Sequence, residues 1–217
     1  MANAYFKAVK CASFDMPCNQ NKTVAEVLAG QVAANKAVNV EHIFQIFLAW
    51  APVIGPNTSY VDQPLIAFQK GNFSRMPIML GSLFQEAYLI TGAIPIALNS
   101  VEFDAAMVAL YRTSSVAILK EYPKNGWPSD LRVLAGFLLT HYSFVCPTRN
   151  VANAIAAAPN APPIYYYHFN HSLSFDGWGP KFAYCRNLVC HGAELPFVFV
   201  RKLFNFTLHY MRIYIHY

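Results

Sequence analysis

The order of apolar and polar positions along the chain predicts helices interspersed with two short strands. Thr23-Val-Ala-Glu26 is a capping-box sequence ahead of apolar residues at helical spacing, so it predicts a helix over residues 24–34. An apolar run at 77–81 predicts a buried strand, and an aromatic run at 164–168 predicts a second strand. Further helices are predicted at residues 64–70, closed by Gly71, and at 99–122, 130–140 and 147–158.

Strands that alternate with helices indicate a parallel sheet with helices packed on it, so the predicted fold class is α/β. Two strands alone do not make a stable sheet of this type. Further strands are therefore expected either within residues 40–55 or outside this chain. The length of 217 residues, with 55% hydrophobic and 12% charged residues, predicts one domain, or a large piece of one, with a buried interior.

The longest apolar stretch, residues 76–98, is not predicted to cross a membrane. Gln85 and Glu86 lie at its middle, and a charge at the centre of a bilayer costs about 3 kcal/mol. A buried strand, a loop and a following element fit this stretch better. The net charge of +5 includes no basic cluster interleaved with aromatic residues, so nucleic-acid binding is not expected.

The cysteines allow two short disulfide loops. Their spacings of seven and five residues leave one cysteine over, and the alternative is five reduced, buried thiols, as is common in cytosolic proteins. A zinc site is disfavoured because no Cys-x-x-Cys pair exists, and His168 with His171 lacks a third ligand. The predicted disulfides join Cys11 with Cys18 and Cys185 with Cys190, and Cys146 is left unpaired.

Several Asn-x-Ser/Thr sequons favour a secreted protein when they are taken together with paired cysteines. The glycosylation candidates are Asn21, Asn57 and Asn72. Residues 1–18 carry no apolar signal-peptide core, so no signal peptide is visible. The sequons lie at Asn21, Asn57, Asn72, Asn170 and Asn205.

One histidine and one glutamate stand out as candidates for chemistry. His191 lies between Cys190 and a glycine, an arrangement that would hold an imidazole in one place on a loop. Glu86 follows the first strand within apolar sequence, and a carboxylate buried there needs a partner, for which His191 is the candidate. The alternatives are a structural loop histidine and an ordinary buried, paired acid.

Six sequence blocks follow one another in order: Cys18-Asn-Gln-Asn-Lys-Thr-Val-Ala-Glu-Val-Leu28, Pro52-Val-Ile-Gly55, Gly71-Asn-Phe-Ser-Arg-Met-Pro-Ile-Met-Leu-Gly81, Phe144-Val-Cys-Pro-Thr-Arg-Asn150, Tyr166-Tyr-His-Phe-Asn-His171 and His191-Gly-Ala-Glu-Leu-Pro-Phe-Val-Phe199. They resemble blocks of the type-B carboxylesterases, the family of cholinesterase-like esterases and lipases. The resemblance implies that residues 1–199 are the C-terminal portion of an α/β-hydrolase domain. Residues 200–217 do not resemble the family and read like a translated intron or frameshift tail.

The resemblance also assigns roles to residues. In the family, nucleophilic serine, acid and histidine follow one another along the sequence, which makes Glu86 the acid and His191 the histidine. It implies a small-molecule or lipid ester as substrate, secretion of the parent protein, and no metal or organic cofactor. Two positions depart from the family pattern: Ala87 stands where glycine is usual, and His141 stands where aspartate is usual.

The sequence lacks the nucleophile and the oxyanion hole that such an ester hydrolase needs. None of the ten glycines has serine two residues later, so there is no Gly-x-Ser-x-Gly nucleophile turn, and no oxyanion-hole glycine run is present. The expected function is therefore a fragment of a carboxylic ester hydrolase, inactive alone and completed by an N-terminal half. The alternatives are a non-catalytic cholinesterase-like adhesion or interaction protein, and a gene fragment without function.

Overall fold

The structure is a computed structural model that describes residues 1–37, 50, 52, 54–55 and 60–199. It divides into two compact units, Met1–Val61 and Asp62–Tyr217. The strands expected within 40–55, two of the sequons, part of the second family block and the tail at 200–217 lie outside the described residues.

The first unit has three described helices, α1 Ala2–Ala8, α2 Met16–Gln20 and α3 Val24–Asn35, and α1 packs closely against α3. Helix α3 begins at the predicted capping box, in which the Thr23 N–H donates to Glu26 Oε2 at 2.9 Å. Gly30 allows α1 and α3 to approach, because a Cβ there would lie 2.5 Å from the Val9 side chain. A disulfide between Cys11 and Cys18 joins the segment after α1 to α2.

The second unit contains the parallel sheet that the sequence predicts. Its two described strands are β1 Ile78–Leu83 and β2 Ile164–Phe169, and they pair in register from Ile78 opposite Ile164 to Leu83 opposite Phe169. The predicted first strand is present, but its burial is only partial, since Met79 is 68% exposed. Burial rises only toward the carboxyl end of β1, which is the end that carries the candidate acid.

The helices of the second unit follow the predicted positions with two corrections. The end of α4 agrees with prediction: Gly71 has φ +75° and the Asn72 N–H donates to the Ala67 carbonyl. The helices are α4 Pro64–Gln69, α5 Tyr88–Thr91, α6 Ser100–Tyr111, α7 Ser115–Glu121, α8 Arg132–Thr140, α9 Cys146–Ala156 and α10 Leu195–Val198, with 3₁₀ turns at Arg112–Ser114 and Pro180–Cys185.

The single helix predicted over 99–122 is wrong, because the chain breaks between α6 and α7 at Arg112, where φ is +48°. The break coincides with Thr113, Ser114 and Ser115, whose hydroxyl groups compete with the backbone for hydrogen bonds. The Ser115 hydroxyl donates to the Arg112 carbonyl at 2.7 Å.

The two helices predicted at 130–140 and 147–158 are joined by a π-helical turn, His141–Val145. Pro147 explains the wider turn, because it has no N–H and its ring would clash with the carbonyl four residues earlier in a regular α-helix. Both α9 and this turn pack against β1. Phe144 of the turn lies near the candidate histidine, with its ring centroid 5.5 Å from that of His191.

A buried cluster holds α6 and α8 together. Its residues are Phe103, Met107, Leu131, Leu134, Ala135 and Leu138. The apolar stretch 76–98 is confirmed as a strand, a turn and a short helix, β1 to α5. Within the described ranges, no helix is long and apolar enough to cross a membrane.

Candidate active site

The candidate acid lies in a tight turn directly after β1. Glu86 is 4% exposed, and its Oε1 accepts a hydrogen bond from the Leu83 N–H at 2.9 Å. The turn is also tied to α8, because the Ala87 N–H donates to Thr140 Oγ1 at 3.0 Å and that hydroxyl donates to the Gly136 carbonyl at 2.7 Å. These bonds hold the carboxylate in one orientation and satisfy one of its oxygens.

Ala87 fits this turn although the family usually has glycine there. Its φ is −80°, which any residue adopts, and its side chain is fully buried. The departure from the family pattern therefore causes no backbone strain.

The candidate histidine lies on a loop that a disulfide and a glycine shape. Cys185 and Cys190 form a disulfide, and both are fully buried. Gly192 has φ +89°, a conformation that side chains disfavour, and it turns the chain directly after His191. The flanking Val189 and Ala193 are buried against Leu83 of β1. The loop is therefore packed against the same strand end that precedes Glu86.

The structure brings the two predicted residues together across 105 positions of sequence. His191 Nδ1 donates to Glu86 Oε2 at 2.6 Å, while the side chains of His191 and Glu86 are 59% and 5% exposed. The hydrogen bond that His191 donates to Glu86 raises the pKa of His191, partial burial opposes this, and the charges of Glu86 and Glu194 add to the rise. A proton held on Nδ1 leaves the lone pair on Nε2, the ring nitrogen that does not bond Glu86. This arrangement can accept a proton at Nε2 and stabilise the resulting imidazolium.

Sequence reasoning missed a second link between these loops. The Val189 N–H donates to Gln85 Oε1 at 2.9 Å, and the Gln85 N–H donates to the Val189 carbonyl at 3.2 Å. The only signal for Gln85 was a polar residue at the middle of the longest apolar stretch.

Two further described histidines, His168 and His141, make different contacts. His168 Nδ1 on β2 is 3.5 Å from the hydroxyl of Ser82 on β1, and burial lowers the pKa of His168. His141, at the second departure from the family pattern, shares a 2.7 Å hydrogen bond with the Tyr122 hydroxyl and packs on the Phe137 ring at 4.3 Å. Burial, and then the charges of His168 and Arg149, lower its pKa.

The glycosylation candidates that the structure describes and the unpaired cysteine are all exposed to solvent. The described sequon asparagines Asn21, Asn72 and Asn170 are exposed, as attachment of a glycan requires. Cys146, the residue left over by the pairing, is a free and exposed thiol at the start of α9. In the described residues, no group of three or more potential ligand side chains could hold a metal ion.

We expect His141 to make the protein less stable in mild acid. The unfolded chain binds a proton at the ordinary pKa of 6.5, whereas folded His141 binds it only at lower pH, so stability is complete above pH 6.5 and falls as the pH drops below it. His141→Asn keeps an acceptor for Tyr122 but cannot titrate. Its urea midpoint should therefore depend less on pH below 6.5.

The matched control for this prediction is His171→Asn, which alters an exposed histidine after β2. Burial also lowers the pKa of His168, so the urea midpoint of His141→Asn should still fall somewhat in mild acid. His191 acts oppositely, because its raised pKa gives stability that is lost as the pH rises through that pKa. Equal slopes for His141→Asn and the unaltered chain would contradict the prediction.

Comparison with known proteins decides the family. A sequence profile of the carboxylesterase family matches residues 2–211. The chain belongs to the carboxylesterase family. The resemblance read from the six blocks is therefore confirmed. The matched range of this carboxylesterase-family chain extends past 199, and the boundary at that residue stays a prediction because the tail lies outside the described residues.

Two curated relatives come from Dictyostelium discoideum. The crystal protein is 32% identical over 201 residues, which cover 91% of this chain and 35% of that protein. The cAMP-regulated D2 protein is 29% identical over 201 residues, with 91% and 36% covered. This carboxylesterase-family chain thus spans about a third of the length of these relatives.

A solved structure supports the fold assignment. A thermophilic PNB esterase superposes with a TM-score of 0.59 at 19% identity, over 92% of this chain and 37% of that one. The predicted fold class, a partial α/β-hydrolase fold with a parallel sheet and packed helices, is confirmed for this carboxylesterase-family chain.

Proposed function

We propose that Glu86 and His191 are the acid and the base of a serine-type carboxylic ester hydrolase. The 2.6 Å hydrogen bond between a buried carboxylate and a half-exposed imidazole carries this proposal. His191 Nε2 would take the proton of an attacking hydroxyl group and later give it to the leaving alcohol. Glu86 would hold the tautomer and stabilise the imidazolium that forms between these steps.

The nucleophile and the oxyanion hole would come from protein sequence outside these 217 residues. The sequence contains no Gly-x-Ser-x-Gly, and the chain spans only about a third of its relatives. The substrate would be a small-molecule or lipid carboxylic ester. Two disulfides and exposed sequons support secretion of the whole protein.

The second candidate function is a non-catalytic interaction protein. The lack of a nucleophile turn in this sequence favours it, and the names of the two Dictyostelium relatives state no enzymatic activity. The intact bond between Glu86 and His191 favours the hydrolase, because an interaction surface does not need a buried acid aligned on one imidazole.

We predict that chain 1–217 alone hydrolyses a short-chain aryl ester no faster than its His191→Ala variant. The reason is that an acid and a base without a nucleophile cannot form an acyl-enzyme. The measurement is release of p-nitrophenol from its butyrate ester by both purified proteins. Turnover of the unaltered chain above the variant would overturn the need for an external nucleophile.

The positive test uses the longer protein in frame with this chain, found by sequencing the transcript from its 5′ end. We call that protein the completed hydrolase. An upstream Gly-x-Ser-x-Gly is expected, and His191→Ala should lower kcat by about 10⁶-fold. A longer protein without the serine, or one whose activity is insensitive to His191→Ala, would favour the interaction protein.

A further inference from the structure

The loops that carry Glu86 and His191 are joined by more than the bond between those two side chains. Gln85 makes two hydrogen bonds to one residue of the histidine loop: its side-chain oxygen accepts from the Val189 N–H, and its own N–H donates to the Val189 carbonyl. The two bonds close a ring between the loops. A ring of this kind restrains both separation and sliding of the two backbones.

The partner of Gln85 lies close to the imidazole along the chain. Val189 precedes His191 by two residues, and Cys190 between them is tied to Cys185 by the disulfide. The disulfide restrains the loop internally, but both of its cysteines belong to the histidine loop. The hydrogen bonds to Gln85 are made directly to the loop that carries Glu86.

The Val189 N–H needs this acceptor. Val189 is 4% exposed and packs with Leu83 and Ala193, so water is a poor substitute for the side-chain oxygen. A buried donor without an acceptor is costly, and the loop would shift to satisfy it. Because His191 follows two residues later, that shift would move the imidazole relative to Glu86.

We infer that Gln85 is a positioning residue that sets the alignment of His191 on Glu86 by holding Val189. Gln85 acts through the backbone of the histidine loop and does not touch the reacting atoms. The inference rests on the proposed function only where it concerns turnover; the alignment is a property of this chain alone.

The test compares three variants of chain 1–217. Gln85→Met keeps the length of the side chain and removes the acceptor; Gln85→Glu keeps the acceptor; Gln69→Met makes the same change at an exposed glutamine of α4. The readout is the NMR titration of the His191 ring protons. We expect the pKa of His191 to fall in Gln85→Met, and to stay raised in Gln85→Glu and Gln69→Met, because only Gln85→Met loosens the bond that raises it.

A merely structural role for Gln85 would lower stability without moving this titration. An unchanged His191 titration in folded Gln85→Met therefore overturns the inference. If that variant does not fold, hydrogen exchange of the unaltered chain decides, since a Val189 amide that exchanges as fast as exposed amides also overturns it. A slowly exchanging Val189 amide supports it.

In the completed hydrolase, Gln85→Met should lower kcat by about 10²-fold with little change in KM, because a misplacement of about 1 Å costs that much. Gln85→Glu should retain most of the kcat of the unaltered enzyme. Failure of the proposed function has a different signature. In that case the activity of the longer protein would be insensitive to His191→Ala, whereas the His191 titration of chain 1–217 would still respond to Gln85→Met.

Discussion

Replacing Glu86 by glutamine is expected to lower kcat of the completed hydrolase by about 10⁴-fold, the loss known for the equivalent change in serine proteases. The Leu83 N–H would keep the amide oxygen at the Oε1 position, which turns the amide NH₂ toward His191. His191 Nδ1 must then accept a hydrogen bond, so its proton moves to Nε2. An imidazole in that tautomer cannot take the proton of a nucleophile.

The same substitution has a direct readout in chain 1–217. The pKa of His191 should fall, because the hydrogen bond and the charge of Glu86 are two of the causes that raise it. Glu121→Gln is the control, as it removes an exposed carboxylate at the end of α7. A kcat within tenfold of the unaltered enzyme would show that Glu86 does not hold the catalytic tautomer.

Phe103→Ala is expected to destabilise the second unit by about 3–5 kcal/mol. Phe103 is fully buried in the cluster between α6 and α8, so its removal leaves a cavity that Met107 and Leu134 cannot fill without leaving their own contacts. That loss is a large part of the stability of a typical domain, about 5–15 kcal/mol. The measurement is the urea midpoint at constant slope.

Val101→Ala is the matched control on the same helix. Val101 is 77% exposed, and a substitution of this kind changes stability by no more than about 0.5 kcal/mol. If Phe103→Ala does not fold, Phe103→Leu should show a smaller loss of the same sign. Equal effects at positions 101 and 103 would mean that α6 does not pack through the Phe103 face.

Local sequence rules predicted the elements that local physics decides. The capping box at Thr23 and Glu26 starts α3, and Gly71 ends α4, because both signals act within one turn of helix. The aromatic run at 164–168 forms β2, because aromatic residues favour strands. The resemblance, with its order of acid and histidine along the chain, predicted Glu86 and His191 as a pair, and the structure places them in contact across 105 residues.

Two kinds of feature were not predicted: bends of the helix axis, and contacts between distant segments. The π-helical turn at His141–Val145 joins two predicted helices, and the break at Arg112 divides a third, since apolar spacing shows which face a segment buries but not where its axis bends. The ring between Gln85 and Val189 exists only because β1 and the disulfide loop meet.

The sequence by itself therefore determined the family, the fold class, the strands, most helix starts and the two residues proposed for proton transfer. These follow from residue type, short-range spacing and the order of blocks along the chain. Only the tertiary structure decided that Glu86 is buried and aligned on Nδ1, that His191 is half exposed, and that Gln85 holds the loop between them. Burial and alignment depend on packing between segments about a hundred residues apart, which no local pattern encodes.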